Sequence, residues 1–283
     1  MKSMVLILVM ALSAATAFSQ DIFELAAIGT PEQIQQALTE GSGVDIRDED
    51  GFTPLMWAAT LNPDSQVLSL LLRAGAKVNE KSSDGWTPLL LAAGKNANSE
   101  ILSFLLKEGA DISDRTNNGA TALMLAAMGN RNAKVTSLLL KAGETVEERT
   151  RSGQTPLILA AQSNLSPDVV DVLLTAGASL QERDIEGMSP LLRAAARNVN
   201  PAVVSALLDA GADVNERTTA GMTALMLAAQ GNINPEVISV LLRAGANARL
   251  KSTEGKTAFD YAGNNESLVG TPQYSALEEK GSL

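Results

Sequence analysis

Gly51-Phe52-Thr53-Pro54-Leu55-Met56-Trp57-Ala58-Ala59 is the stretch that decides the fold, because the chain returns to its pattern at a constant interval. The glycine recurs at Gly85, Gly119, Gly153, Gly187, Gly221 and Gly255, each 34 residues after the last. Behind these glycines stand Thr87-Pro88-Leu89, Thr121-Ala122-Leu123, Thr155-Pro156-Leu157, Ser189-Pro190-Leu191, Thr223-Ala224-Leu225 and Thr257-Ala258-Phe259. A fixed period of this size means stacked supersecondary units rather than one central core. Thr or Ser suits a helix N-cap, and Pro suits the first helical position, where no N–H is needed. The apolar run behind them predicts a short first helix. Paired alanines (Ala92-Ala93, Ala126-Ala127, Ala160-Ala161, Ala228-Ala229) let a neighbouring helix approach closely.

A second signature follows some 20 residues later. It reads Leu71-Leu72-Arg73-Ala74-Gly75-Ala76-Lys77-Val78-Asn79 in one copy and Leu207-Leu208-Asp209-Ala210-Gly211-Ala212-Asp213-Val214-Asn215 in another. Its leucines have helical spacing, and Gly75, Gly109 and Gly143 supply the left-handed residue that ends a second helix. Together the two signatures resemble the ankyrin repeat, from residue 21 to about 280. The resemblance implies an all-α fold: a helix-turn-helix solenoid with β-hairpin-like loops, built from 34-residue units. The usual period of such repeats is 33, and the extra residue is placed in the link between the two helices. Family members usually carry His after Thr-Pro-Leu. Here Met56, Leu90, Met124, Ile158, Leu192 and Met226 stand there, so apolar packing is expected in place of a buried hydrogen bond.

The chain divides on this reading into a signal peptide (1-19), an N-terminal capping repeat (20-50), six internal repeats (51-254) and a C-terminal capping repeat (255-283). Lys2 followed by uncharged residues from Met4 to Phe18, with small residues at 15–19, resembles a secretory signal. Cleavage is expected after Ala17 or Ser19, which places the mature chain in the periplasm or outside the cell, with no membrane attachment. Ile22 to Ala27 and Ile34 to Leu38 match degenerate first and second helices, with Gln33, Gln35 and Gln36 facing water as a cap requires. One last helix is expected around Thr271–Glu279.

Two ladders run through the copies. Asn62, Asn96, Asn130, Asn164, Asn198 and Asn232 are read as left-handed residues closing each first helix. Asp64, Asn98, Asn132, Ser166, Asn200 and Asn234 are read as N-caps of each second helix. A basic ladder (Arg47, Lys81, Arg115, Arg149, Arg183, Arg217, Lys251) runs beside Glu80, Asp114, Glu148, Glu182 and Glu216. The reading favoured is charge pairing between neighbouring hairpins, not an anion site.

Composition narrows the function. The net charge is −10, and removing residues 1–19 takes away Lys2 and no acid. Nucleic acid is therefore not an expected partner, and a basic protein is the partner that long-range steering favours. Cys and His are both absent. Common nucleophile–base pairs, thiolate sites and most zinc sites are thereby excluded. Asp48, Glu49, Asp50, Asp84, Glu186 and Glu254 precede the glycines as turn formers. Asp48-x-Asp50-Gly51 lacks the remaining ligands of a calcium loop. No cofactor, metal or enzymatic activity is expected.

The resemblance implies binding on a concave surface of hairpins and first helices. Two positions vary where the copies otherwise agree. The residue after each glycine is Phe52, Trp86, Ala120, Gln154, Met188, Met222 or Lys256. The end of the first helix carries Leu61, Lys95, Met128, Gln162, Arg197 or Gln230. Phe52 and Trp86, expected to be exposed, are read either as anchors for a partner or as rings packed on the next hairpin. The candidate partner-binding set is Phe52, Trp86, Met188, Met222, Leu61, Met128 and Arg197. The expected function is a monomeric, non-enzymatic, exported scaffold for protein–protein interaction. The alternatives are an exported effector or immunity-type partner of one protein, and an accessory subunit of a periplasmic enzyme.

Overall fold

The computed structural model describes residues 21–282; the segment read as a signal lies outside them. The described residues form sixteen helices and no strand, with one isolated bridge between Arg217 and Thr223. The chain divides into two compact units between Asp111 and Ile112. No described helix is long and apolar enough to cross a membrane.

The first unit holds α1 (Ile22–Ile28), α2 (Pro31–Thr39), α3 (Pro54–Leu61), α4 (Ser65–Arg73), α5 (Pro88–Lys95) and α6 (Ser99–Lys107). Its first helices form one row, α1 on α3 on α5, and its second helices another, α2 on α4 on α6. The second unit holds α7 (Ala122–Gly129), α8 (Ala133–Lys141), α9 (Pro156–Ser163), α10 (Pro167–Thr175) and α11 (Pro190–Arg197). It continues through α12 (Pro201–Asp209), α13 (Ala224–Gly231), α14 (Glu236–Arg243), α15 (Ala258–Ala262) and α16 (Pro272–Ser282). Here α7, α9, α11, α13 and α15 stack as first helices, and α8, α10, α12 and α14 as second helices, with α16 packed on α14 and α15.

Local chemistry explains the repeat. The first helices of the six internal repeats are capped by the hydroxyls of Thr53, Thr87, Thr121, Thr155, Ser189 and Thr223, each of which accepts from the backbone N–H three residues on at 3.2–3.4 Å. First helices are buried almost all round, and Met56, Leu90, Met124, Ile158, Leu192 and Met226 lie in their cores. Second helices bury one stripe, such as Val67, Leu68 and Leu71 in α4 or Val203, Val204 and Leu207 in α12. They end in the expected glycine: Gly75 has φ +108°, its N–H bonds to Leu72 O and the Ala76 N–H to Leu71 O, which together make a Schellman motif.

The asparagine ladder corrects the sequence reading. Asn62, Asn164, Asn198 and Asn232 are extended, not left-handed; Asn198, for example, has φ −80° and ψ 124°. Their purpose lies between repeats. Asn198 Nδ2 donates to Ala161 O and Asn164 O of the preceding repeat at 2.9 and 2.8 Å, and its Oδ1 accepts from Asn200 N. Asn232 and Asn62 do the same in their own places. Each buried side chain thus closes backbone groups that stacking removes from water, at about 1 kcal/mol net per bond. The second ladder caps as expected. Asp64, Asn98, Asn132, Asn200 and Asn234 accept from the N–H two residues on. Ser166 makes no such bond, and Pro167 takes the first position of its helix.

Candidate interaction surface

The hairpin turns come first, because they decide which side chains face out. Each turn is closed by two backbone bonds, such as Asp48 N to Phe52 O and Gly51 N to Asp48 O, both 3.0 Å. Residue 52, and its counterparts 86, 188 and 222, therefore close the turn at its base. The tip consists of the residues before the glycine.

That placement corrects the expectation for four candidates. Phe52 and Trp86 are half-buried rather than exposed, and Phe52 sits edge-on to Trp57 of its own repeat at 6.0 Å between ring centroids. Met188 and Met222 are buried, at 8% and 9% exposure, so neither offers a free side chain. The backbone N–H of Met188 bonds to Asp184 Oδ1, and its carbonyl accepts from Asp184 N, which folds the residue against the stack. The remaining candidates lie on the surface. Leu61 and Met128 are both 41% exposed, and Arg197 is exposed. These ends occupy two registers, not one. Leu61, Lys95 and Arg197 share one 34-residue step, while Met128, Gln162 and Gln230 share the step one residue earlier. Gln162 is half-buried and accepts from Gln154 Nε2 at 3.0 Å; Gln230 is exposed.

Asp48 is a structural carboxylate. Its Oδ1 accepts from Asp50 N and Phe52 N, and its Oδ2 accepts from Trp57 Nε1 at 2.8 Å. The same position in other repeats holds Ser82, Thr116, Thr150 and Thr218, whose hydroxyls accept from the residue closing the turn. In those four repeats the helix position nine residues on holds Leu91, Leu125, Leu159 or Leu227. Where the helix residue is polar, the turn residue answers it: Trp57 with Asp48, Arg193 with Asp184, and Tyr261, whose hydroxyl bonds Ser252 Oγ at 2.9 Å. The sequence carried this co-substitution at a spacing of nine, and the reading by single positions missed it.

Four arginines of the basic ladder are committed to ion pairs. Arg115 pairs with Glu148 at 3.0 Å and Arg183 with Glu216 at 2.8 Å, while Arg47–Glu80 and Arg149–Glu182 form equivalent bridges. Arg47 Nη1 also donates to Gly51 O and Lys81 O, tying one hairpin to the next. The expected charge pairing holds at Arg47, Arg115, Arg149 and Arg183, while Arg217 bonds the carbonyls of Gly221 and Lys251 instead. Two half-buried carboxyls are raised from their ordinary value by partial burial: Glu144, which accepts from Leu123 N, and Glu216, which accepts from Ser189 Oγ at 2.5 Å.

Among the described residues no cluster of His, Cys, Asp or Glu has the makings of a metal site. A groove of about 710 Å³ between α2 and α4 is lined by Glu32, Gln35, Gln36, Gln66, Ser69 and Arg73. With Pro31 and Leu70 its walls are mixed polar and apolar. The sequence contains two Asn-x-Ser sequons, Asn164-Leu165-Ser166 and Asn265-Glu266-Ser267, and both asparagines are buried: Asn164 Nδ2 donates to Ala127 O and Asn130 O, and Asn265 Nδ2 to Ala229 O and Asn232 O.

Residues that single-position reading did not select also reach the surface. Ile185 stands exposed at a hairpin tip, and Val199 and Ile233 are exposed on the links between helices. The link position runs Pro63, Ala97, Arg131, Leu165, Val199, Ile233, so its variation at fixed register was the available signal.

Comparison with known proteins agrees with this geometry. A family model described as "Ankyrin repeats (3 copies)" matches residues 22–116, 90–184 and 186–269. The crystal structure of the human ASB11 ankyrin repeat domain is similar at 26% identity and a TM-score of 0.65, covering 79% of this chain and 96% of that one. A search of curated proteins finds no match. Ankyrin repeats are in general protein–protein interaction modules. The two helices, the turn and the linking asparagine of each 34-residue unit, with the family match across most of the sequence, place this chain in the ankyrin repeat family.

Proposed function

We propose that this protein is a non-enzymatic binding scaffold, exported from the cytoplasm, whose protein partner docks on the outward ends of the first helices. One observation carries the reading. The first helices are near copies and almost wholly buried, yet their last turns expose side chains that differ from repeat to repeat: Leu61 and Lys95 in the first unit, Met128, Arg197 and Gln230 in the second. Packing does not require that variety, and exposed apolar residues beside polar ones are what an interface uses. Export rests on the basic, then apolar, then small-residue order of residues 1–19. The absence of His and Cys and the capture of Asp48 and Asp184 in turns support a role without catalysis.

The test is an affinity pull-down from the exported fraction with wild type, Leu61→Asp and Met128→Asp. A protein held by wild type and lost by either variant, with melting temperature unchanged, supports the reading. Equal capture by all three overturns the location of the site. Recovery of the chain from the cytosol at full length overturns export.

A further inference from the structure

The acidic excess of the chain stops short of four of the five first helices of the second unit; the fifth, α15, carries Asp260. α7, α9, α11 and α13 contain no Asp or Glu, and α11 carries two arginines one turn apart, Arg193 and Arg197. Arg193 is neutralised: Nε and Nη2 both donate to Asp184 Oδ2 at 2.6 Å, and Nη2 reaches Glu186 Oε2 at 3.1 Å. Arg197 is not. It is exposed, and its side chain makes no ion pair or hydrogen bond among the described residues.

The surroundings of Arg197 are low. Its register neighbours are Ser163 on α9 and Gly231 on α13, and a methyl group on Gly231 would touch nothing within 4 Å. Beside it, on the links that follow α11 and α13, Val199 is 37% and Ile233 69% exposed, at equivalent positions of consecutive repeats. The acids at this end of the second unit's repeats are Asp168 and Glu236, at the starts of second helices, and Glu266, exposed on the link after Asn265, one repeat beyond Ile233. Glu236 is bound to Arg243 at 3.0 Å, and Asp168 sits in the first turn of α10, where the helix dipole favours it. An unpaired guanidinium beside an exposed apolar pair calls for a carboxylate beside an apolar side chain.

We propose, on the footing that the first-helix ends dock a protein, that Arg197, Val199 and Ile233 receive an acidic-apolar segment of the partner. Its carboxylate accepts from the Arg197 guanidinium and its apolar side chain covers Val199 and Ile233. Net charge points the other way, since an acidic chain repels an acidic segment at long range. Recognition is therefore local: within a Debye length of about 10 Å, the nearest charge outweighs the sum.

The experiment is selection from a phage-displayed library of random dodecapeptides against the full chain, with Arg197→Ala, Arg197→Glu, Val199→Ser/Ile233→Ser and Met128→Asp variants checked by thermal melting. Wild type is expected to enrich peptides with Asp or Glu beside an apolar residue, and Arg197→Ala to bind such a peptide about tenfold more weakly. Arg197→Glu should turn the preference to Lys and Arg, and the double serine variant should lose only the apolar preference. Basic or charge-neutral peptides selected by wild type would overturn the proposal. So would acidic peptides bound equally by both Arg197 variants. In either case, loss of binding in Met128→Asp would leave the scaffold reading standing. If no peptide is enriched over an unrelated surface, the proposal and the scaffold reading both fall.

Discussion

Arg193 and Asp184 form one unit: the arginine grips Asp184 Oδ2 at 2.6 Å while Oδ1 of the same carboxylate accepts from Glu186 N and Met188 N and closes the turn. The carboxylate is fully buried and the guanidinium nearly so. A buried pair broken on one side leaves an uncompensated charge, which costs about 3–5 kcal/mol. Arg193→Leu is therefore expected to destabilise the second unit by about 3 kcal/mol in a denaturant titration, the exposed Glu186 contributing little to the loss. Asp184→Thr with Arg193→Leu recreates the Thr150/Leu159 pairing of a neighbouring repeat and should recover most of that loss. Additive single effects would show that the pair is not a unit.

Asn198→Ala removes two donors and one acceptor from a buried site, leaving Ala161 O, Asn164 O and Asn200 N without partners. The expected cost is about 2–4 kcal/mol, seen as a lower urea midpoint. Asn200→Ala, at a more accessible site, removes the N-cap and a single bond to Leu165 O of the preceding repeat, and should cost less, about 1–2 kcal/mol. Equal effects would count against the bridging role assigned to the first asparagine.

Glu144 stands where other repeats have Ala76, Ala110, Ala178, Ala212 and Ala246. Burial raises its carboxyl above the ordinary value, overcoming the opposing pull of Thr121, the N–H groups of Leu123 and Ala122, and Arg115. The folded chain then binds its proton more tightly than the unfolded chain. Stability is fully present below the ordinary carboxylate value and falls as pH rises through the raised one. Glu144→Gln should flatten that fall, so its advantage over wild type grows with pH through the weakly acidic range. A constant difference at every pH would contradict the shift.

Gly153 and Gly187 occupy equivalent turns with φ +74° and +72°. Alanine at either position meets the left-handed penalty of about 1–2 kcal/mol. At Gly153 the new methyl also lies 3.2 Å from Ile185 N of the next hairpin, whereas at Gly187 it meets nothing. Gly153→Ala should therefore lower the melting temperature more than Gly187→Ala.

What the sequence made legible was whatever each repeat settles within itself. The hydroxyl caps, the proline at the first helical turn and the left-handed Gly75 are local choices, and all stand as read. The basic ladder was also legible, because Arg183 and Glu216 each recur at the same spacing. Contacts made across the period were harder. Asn198 looked like a helix stop because its partners are carbonyls 34 and 37 residues earlier. Met188 looked exposed because its variation resembled that of a tip, while the hydrogen bonds to Asp184 put it at the base. Of the candidate surface, Leu61, Met128 and Arg197 reached the exterior because helix ends lie at the edge of a stacked row. Val199 and Ile233 were passed over beside an invariant asparagine.

The central claim is that the first-helix ends meet a protein partner. Site-specific photocrosslinking in cells tests it most directly, with a photoactivatable residue placed at Met128 and, as control, at Asp209 on the exposed side of α12. The account predicts one discrete crosslinked protein from position 128 and none from position 209. A product from position 209 alone, or none from position 128 in the exported fraction, would contradict it.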